Sequence, residues 1–241
     1  MDNLLGEFLG TMFLIILGNG VVANVVLGKT KGNNSGWIVI TTGWAMAVMV
    51  GVFVAISAGA PQADINPAVT IGKWLILGAY DAGQAIVTML IQIAGAFVGA
   101  VIVWLAYYRH WAETADAGAK LAVHSTGPAI RDTAWNFVTE LIGTMVLLIG
   151  VGAIFTGATA GSPASGLGPY LVGALVWGIG LSLGGPTGYA INPARDLGPR
   201  IAHFLLPIAG KGDSDWGYGW IPVVAPLLGG ILGALVWNSV F

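Results

Sequence analysis

Two copies of one tripeptide, Asn66-Pro67-Ala68 and Asn192-Pro193-Ala194, carry the residue types whose pattern indicates chemistry in this chain. Proline fits the first turn of a helix, where its missing N–H would have no partner, and asparagine is favoured just before it. Both triplets therefore predict helix starts. Such a start presents partial positive charge and Asn side-chain donors, which can guide polar solutes but cannot make or break bonds.

The apolar stretch after each triplet is too short to cross a membrane. The first ends near position 77 and has about a dozen residues, or roughly 18 Å of helix, and the second ends near position 206. Each covers about half of a ~30 Å hydrocarbon core. Two half-helices that enter from opposite faces would meet at the midplane by their N-termini, and we interpret this meeting point as the centre of a pore.

The composition requires most of the chain to face lipid or other apolar helices. The 241 residues are 56% hydrophobic and 8% charged, whereas about a quarter of a soluble domain is charged. Apolar runs near 20 residues without polar alternation predict membrane helices and not a barrel. A net charge of −2 argues against a nucleic-acid partner, and the absence of cysteine excludes disulfides and a thiol nucleophile.

These patterns predict an all-α membrane protein with six transmembrane helices and two re-entrant half-helices. The predicted spans are residues 4–27, 37–58, 84–108, 133–155, 169–184 and 220–240. Residues 109–132 form the longest hydrophilic loop, and a connector rich in Gly, Ser and Pro at 157–168 joins spans four and five.

The chain is also an internal repeat. Residues 7–12 match 140–145, with a Glu and a Gly-Thr-Met run in both, and the pair Gly95 and Gly99 matches Gly229 and Gly233. Three spans per half make the repeat inverted in the membrane. We expect one channel domain over residues 1–241, with halves of about 1–108 and 133–241 joined by the loop 109–132.

The paired triplets, followed by Val69-Thr70 and Arg195-Asp196, closely resemble the signature of the major intrinsic protein (aquaporin) family. The stretch 192–199 is similar to its glycerol-conducting, aquaglyceroporin branch. The resemblance covers nearly the whole chain. It implies a midplane motif formed by Asn66, Pro67, Ala68, Asn192, Pro193 and Ala194, one pore in each subunit of a homotetramer, and no cofactor.

The resemblance also implies supporting roles for two acidic residues. Glu7 and Glu140 should each accept hydrogen bonds from the backbone of a re-entrant loop, because an intramembrane carboxylate is costly unless it is paired or has a role. The alternative for both is an interfacial carboxylate at a helix end. Asp64 stands where a His is common in the family, and the preceding residues 60–63 also depart from its usual pattern.

A selectivity filter is implied at one end of the pore. On a half-helix that starts at the midplane, Arg195 can reach the narrow part, where it supplies donors and repels cations. The resemblance adds Trp44, Tyr189 and Gly180, the last of which should leave open the space that a His fills in water-selective members. The alternatives are a lipid-facing or core-facing Trp44 and an interfacial Arg195. Arg200 is expected at the water interface.

The leading hypothesis is passive conduction of glycerol, water and other small neutral solutes, with protonated lactic acid as a further candidate and with ions and protons excluded. A proton-coupled secondary transporter is the alternative, although the pathway offers only an Arg and two Asn for coupling. A structural junction protein is a third class. We predict no enzyme activity, and no metal site is expected because His110, His124 and His203 are scattered.

Two arguments about orientation disagree. The loop cations all fall on the side opposite the N-terminus, and by the positive-inside rule both termini would lie outside; these cations are Lys29, Lys31, Arg109, Lys120, Arg131 and Lys211. The family resemblance implies cytoplasmic termini. We follow the resemblance, because an obligatory inverted architecture constrains orientation more strongly than a few loop charges.

Overall fold

The computed structural model describes residues 3–156 and 166–241, and the regular structure within these ranges is entirely helical. Its helices in chain order are α1 (Leu4–Val26), α2 (Trp37–Ser57), α3 (Pro67–Leu75), α4 (Ala82–Ala106), α5 (Ala117–His124), α6 (Thr133–Phe155), α7 (Leu167–Leu183), α8 (Pro193–Leu205), α9 (Trp216–Gly219) and α10 (Ile221–Val240).

The predicted all-α membrane fold is confirmed. In the described part of the chain, five helical segments are long and apolar enough to cross a membrane: α1, α2, α4, α6 and the continuous stretch Trp216–Val240. The apolar helix α7 has 17 residues, which is the lower end of the range of about 17–25 that spans a bilayer. It packs against α2 and α6. Residues 157–165 of the predicted connector lie outside the described ranges.

The two half-helices begin where the triplets predict. Helix α3 has 9 residues and α8 has 13, and each has Pro at its first position. The Asn66 Oδ1 accepts from the Ala68 N–H at 2.8 Å, and the Asn192 Oδ1 accepts from the N–H groups of Ala194 and Arg195 at 3.0 and 3.2 Å. These bonds satisfy N–H groups that a helix start leaves without partners.

Glycines allow the long helices to approach closely in equivalent places. A Cβ at Gly95 of α4 would lie 2.3 Å from the Phe8 carbonyl oxygen of α1, and one at Gly229 of α10 would lie 2.5 Å from that of Leu141 in α6. The half-helices are packed in the same way, since a Cβ at Gly72 would lie 2.8 Å from the Gly230 carbonyl oxygen. Small residues at such contacts are typical of membrane helix pairs.

The loop 109–132 contains a helix that the sequence did not predict. Helix α5 is capped by Asp116, whose side chain accepts from the Gly118 N–H at 2.7 Å, and it packs against α1 and α8. Its Val123 and His124 are fully buried. The hydrophilic composition of the loop concealed a short element with one buried face.

Candidate functional site

A cavity of about 410 Å³ lies between the long helices and the N-termini of α3 and α8. Polar side chains reach it from both half-helices and from α2, namely Asn66, Lys73, Asn192, Arg195 and Trp44. Much of its wall is aliphatic, including Val48, Val52, Val69, Leu147, Val151 and Val176. The other predicted site residues do not line it, namely Glu7, Pro67, Ala68, Glu140, Gly180, Pro193 and Ala194.

The two Asn side chains join the half-helices across the centre of the cavity. The Asn66 Nδ2 donates to the Ile191 carbonyl oxygen at 2.9 Å, and the Asn192 Nδ2 donates to that of Ile65 at 2.9 Å. Each bond therefore runs from one half of the chain to the other. An amide nitrogen carries two hydrogens, so each Asn keeps one that can be offered to a molecule in the cavity.

Glu7 and Glu140 hold the backbone that precedes each triplet. The Glu7 carboxylate accepts from the N–H groups of Asp64 and Ile65, both at 2.8 Å. The Glu140 carboxylate accepts from those of Ala190 and Ile191, both at 2.9 Å. The two side chains are 0% and 1% exposed. These contacts are the ones that the resemblance implied, and burial contradicts the interfacial alternative.

The backbone held by these carboxylates is strained. Ala63 and Ile65 have φ of +42° and +44°, and Tyr189 and Ile191 have φ of +39° and +44°. A β-branched residue such as Ile is a genuine outlier at positive φ, and such conformations cost about 1–3 kcal/mol each. Because both loops line the cavity, the buried carboxylates stabilise a conformation that shapes its wall.

A cation–π pair lies on one wall of the cavity. The Arg195 Cζ lies 4.1 Å from the centroid of the Trp44 ring, and the two residues are 7% and 4% exposed. The Arg195 Nη1 has no hydrogen-bond partner within the described residues. Trp44 thus faces Arg195 and the cavity, in contrast to the lipid-facing alternative, and one buried guanidinium nitrogen is left without a hydrogen-bond partner within the described residues.

The space next to Gly180 is filled by an aromatic ring. A Cβ at Gly180 would lie 2.7 Å from the Tyr189 Cζ and 2.8 Å from its Oη, and Tyr189 also packs edge-on against Trp37 with ring centroids 5.8 Å apart. The expectation that glycine leaves this space empty is wrong, because the Tyr189 ring folds back over the helix. Gly180 acts on the cavity through the position of that ring.

Comparisons with known proteins agree with this geometry. The family model described as "Major intrinsic protein" matches residues 1–237. The chain belongs to the major intrinsic protein family. A protein named probable glycerol uptake facilitator, from Thermotoga maritima, is 59% identical over 241 residues and covers 100% of both chains. The glycerol uptake facilitator protein of Bacillus subtilis is 49% identical over 98% of this chain and 84% of its own.

A solved structure of the same family shares the fold. The aquaglyceroporin from Plasmodium falciparum aligns with a TM-score of 0.85 at 28% identity, over 99% of this chain and 96% of that one. The chain is therefore an aquaporin-like membrane protein of the major intrinsic protein family.

Arg200 does not lie at the water interface, as the sequence analysis expected. It is 0% exposed and donates from Nε and Nη2 to the Asp196 carboxylate at 2.7 and 3.0 Å. It also donates to the carbonyl oxygens of Thr126 and Ser214. Arg200 therefore connects α8 to the segment after α5 and to the loop before α9. The i, i+4 spacing of Asp196 and Arg200 on a helix was the signal that could have revealed the pair.

A second buried ion pair lies at the half-helix α3 and was also not predicted from the sequence. The Lys73 Nζ lies 2.6 Å from the Asp64 Oδ1, and both residues line the cavity on the α3 side of the Asn pair. Charged residues inside an otherwise apolar segment are rare and usually paired or functional. That rule, applied to Asp64 and Lys73 together, would have predicted the contact.

Proposed function

We propose that this protein is a passive transmembrane channel for glycerol, water and other small neutral solutes, and that it excludes ions and protons. The observation that carries the proposal is the pairing of a polar and an apolar wall in one cavity. Arg195 and the two Asn supply donors for hydroxyl oxygens. Trp44 and Tyr189 supply faces for C–H groups, which is the profile of a three-carbon polyol.

The exclusion of ions follows from charge and desolvation. The Arg195 guanidinium and the N-termini of α3 and α8 place positive potential in a cavity with aliphatic walls. A cation meets repulsion there, and any ion loses hydration that the walls do not replace. The Asn66 and Asn192 donors bind a passing oxygen on one side only, which interrupts a chain of water molecules that could relay protons.

We further propose an arrangement for the whole assembly. Residues 1–241 form one channel domain of two inverted halves, about 1–108 and 133–241, joined by the loop 109–132. The termini face the cytoplasm, and four copies assemble into a homotetramer with one pore in each. The equivalent contacts of Glu7 and Glu140 support the division into halves.

Osmotic swelling of proteoliposomes tests the function. Vesicles that contain the protein should swell in an inward glycerol gradient much faster than empty vesicles, with a rate that is linear in glycerol concentration and independent of a pH gradient. A rate that saturates at low millimolar glycerol, or glycerol flux that moves protons, would instead indicate a coupled transporter. Swelling no faster than that of empty vesicles would leave only a structural role.

A further inference from the structure

A buried carboxylate at the α3 end of the cavity is paired with an amine. The Asp64 side chain is 0% exposed and that of Lys73 is 11% exposed, although both residues border the cavity. The Asp64 Oδ1 accepts from the Lys73 Nζ at 2.6 Å. Its Oδ2 accepts from the hydroxyls of Thr70 and Tyr80 at 2.9 and 2.7 Å. Both carboxylate oxygens are therefore occupied, one by the ammonium group and the other by two hydroxyls.

The Lys73 ammonium is fully engaged in this position. An ammonium group has three N–H donors, and the Nζ lies 3.0 Å from the Gln62 Oε1 and 3.3 Å from the Gln62 carbonyl oxygen, in addition to Asp64. Lys73 thus connects α3 to the segment that leads into the first triplet. Its charge is held against Asp64 at the cavity wall.

Negative charge would dominate this end of the pore without the amine. Glu7 lies directly behind Asp64, because its carboxylate accepts from the Asp64 N–H at 2.8 Å. The partners of these two acidic groups in the described chain, apart from Lys73, are neutral: the hydroxyls of Thr70 and Tyr80, the Gln92 amide and backbone N–H groups. A bare carboxylate in a narrow pore favours entry of cations.

We propose that Lys73 is a second determinant of charge exclusion, which neutralises Asp64 and so keeps the α3 end of the pore from binding and passing cations. Arg195 repels cations on the α8 side of the Asn pair, and Lys73 neutralises a carboxylate on the α3 side. Lys73 is a positioning residue and not a contact for the solute, since its donors are used within the protein. The inference rests on the proposed channel function.

Charge-matched variants at the two positions test this role. Lys73→Met removes the amine and keeps much of the side-chain length, Lys73→Arg keeps the charge, and Lys73→Met combined with Asp64→Asn removes both charges. We expect Lys73→Met to raise potassium flux into proteoliposomes at least about tenfold over the parent while glycerol swelling continues. Lys73→Arg and the double variant should show no more potassium flux than the parent.

A chemical rescue separates charge from shape. The chain has no cysteine, so Lys73→Cys offers a single thiol on the cavity wall. Aminoethyl methanethiosulfonate would attach a cationic group as a mixed disulfide and release methanesulfinate, whereas the methyl reagent attaches a neutral one. Potassium leak through Lys73→Cys should fall after the first reagent and not after the second. This variant also serves if Lys73→Met fails to fold.

The outcomes distinguish this inference from the function on which it rests. A parent protein that passes no glycerol would overturn the proposed channel. The role of Lys73 alone would be overturned if the parent conducts glycerol and the Lys73→Met and Lys73→Cys variants pass no more potassium than the parent. Equal leak in Lys73→Met and in the double variant would do the same, because the leak would then not depend on Asp64.

Discussion

At the scale of single residues, the guanidinium of Arg195 places a fixed positive charge on the cavity wall. It is 7% exposed, lies 4.1 Å from the Trp44 centroid, and has an Nη1 without a partner in the described chain. Arginine keeps its proton even when buried, and a cation over an aromatic face is stabilised without being neutralised. The positive charge is therefore present at any pH at which the protein folds.

Arg195→Val should open the pore to cations or protons while neutral solutes still pass, since it removes that charge and enlarges the opening. Potassium flux and dissipation of a pH gradient in proteoliposomes measure the change, with an expected increase of about tenfold or more. Arg195→Lys is the matched control and should show no more potassium or proton flux than the parent. A Val variant with no more leak than the parent would assign ion exclusion to other residues.

Gly180→His should reduce glycerol conduction much more than water conduction. The new side chain needs the space occupied by the Tyr189 ring, because even a Cβ would lie 2.7 Å from the Tyr189 Cζ; the ring must move into the cavity that it lines. Stopped-flow swelling in glycerol and in an impermeant osmolyte separates the two rates.

The double variant Gly180→His with Tyr189→Ala is the matched control for that experiment. Removal of the ring leaves room for the imidazole, so glycerol conduction should recover in part. Equal losses of glycerol and water conduction in Gly180→His, with no recovery in the double variant, would mean that Gly180 affects folding and not the filter.

At the scale of elements, the half-helices were predictable and α5 was not. Asn and Pro at a helix start act through local geometry, so the sequence alone located α3 and α8. Helix α5 has 8 residues between charged and glycine-rich stretches, and an isolated helix of that length is unstable in water. It forms because Val123 and His124 are buried against other elements, which no local pattern reveals.

The docking of α5 should weaken as pH falls. Burial lowers the pKa of His124 to about 3, and the neighbouring His203 and Lys211 oppose its protonation further. His124 stacks on Trp111 at 5.5 Å and meets the His203 ring at 5.7 Å. An undocked His has a pKa of about 6.5, so below that pH the undocked form gains a proton that the docked form does not bind.

Hydrogen exchange of the α5 amides between pH 7 and 4, corrected for the intrinsic rates, measures this effect. Protection should decrease as pH falls below about 6.5. His124→Phe keeps an aromatic ring against Trp111 and leaves His203 as the titratable ring at this contact, so its protection should depend less steeply on pH than that of the parent. A parent with constant protection over this range would show that α5 does not depend on a neutral His124.

At the scale of the whole molecule, the two ends of the cavity have different walls. The α8 side has Trp44, Tyr189 and Arg195, and the α3 side has Asp64, Lys73 and Gln62. The first set follows from the family signature. The second depends on contacts between a half-helix and the loop before it, and the filling of the space beside Gly180 depends on a ring orientation. The ring orientation is not encoded in a local sequence pattern, whereas the Asp64–Lys73 contact could have been inferred from two charges in an otherwise apolar segment.

Flux of lactic acid should rise steeply as pH decreases from about 6 to 4, whereas glycerol flux should change little. The neutral acid has three carbons and two polar groups, so it should fit the cavity about as well as glycerol does. The anion must lose its hydration in a cavity with aliphatic walls, at a cost of several kcal/mol. With a carboxyl pKa near ~3.9, the neutral fraction changes about tenfold per pH unit above that value.

Uptake of labelled lactate and labelled glycerol into the same vesicles measures both fluxes. Glycerol serves as the internal control, since any effect of pH on the protein itself would change it too. Channel-dependent lactate uptake that does not vary with pH would indicate conduction of the anion. No lactate uptake at any pH would restrict the substrates to polyols and water.

The reciprocal bonds between the two Asn side chains and the opposite carbonyl oxygens join the two parts of the chain independently of the linker between them. Because Asn66 is bound to Ile191 and Asn192 to Ile65, the halves are held together at their centre and do not depend on the linker for their registry. A break between Gly127 and Pro128, which follow the α5 contacts and are not buried, should therefore be tolerated. Two co-expressed pieces should assemble into a glycerol-permeable unit, whereas either piece alone would leave these polar groups without partners in lipid and should be degraded.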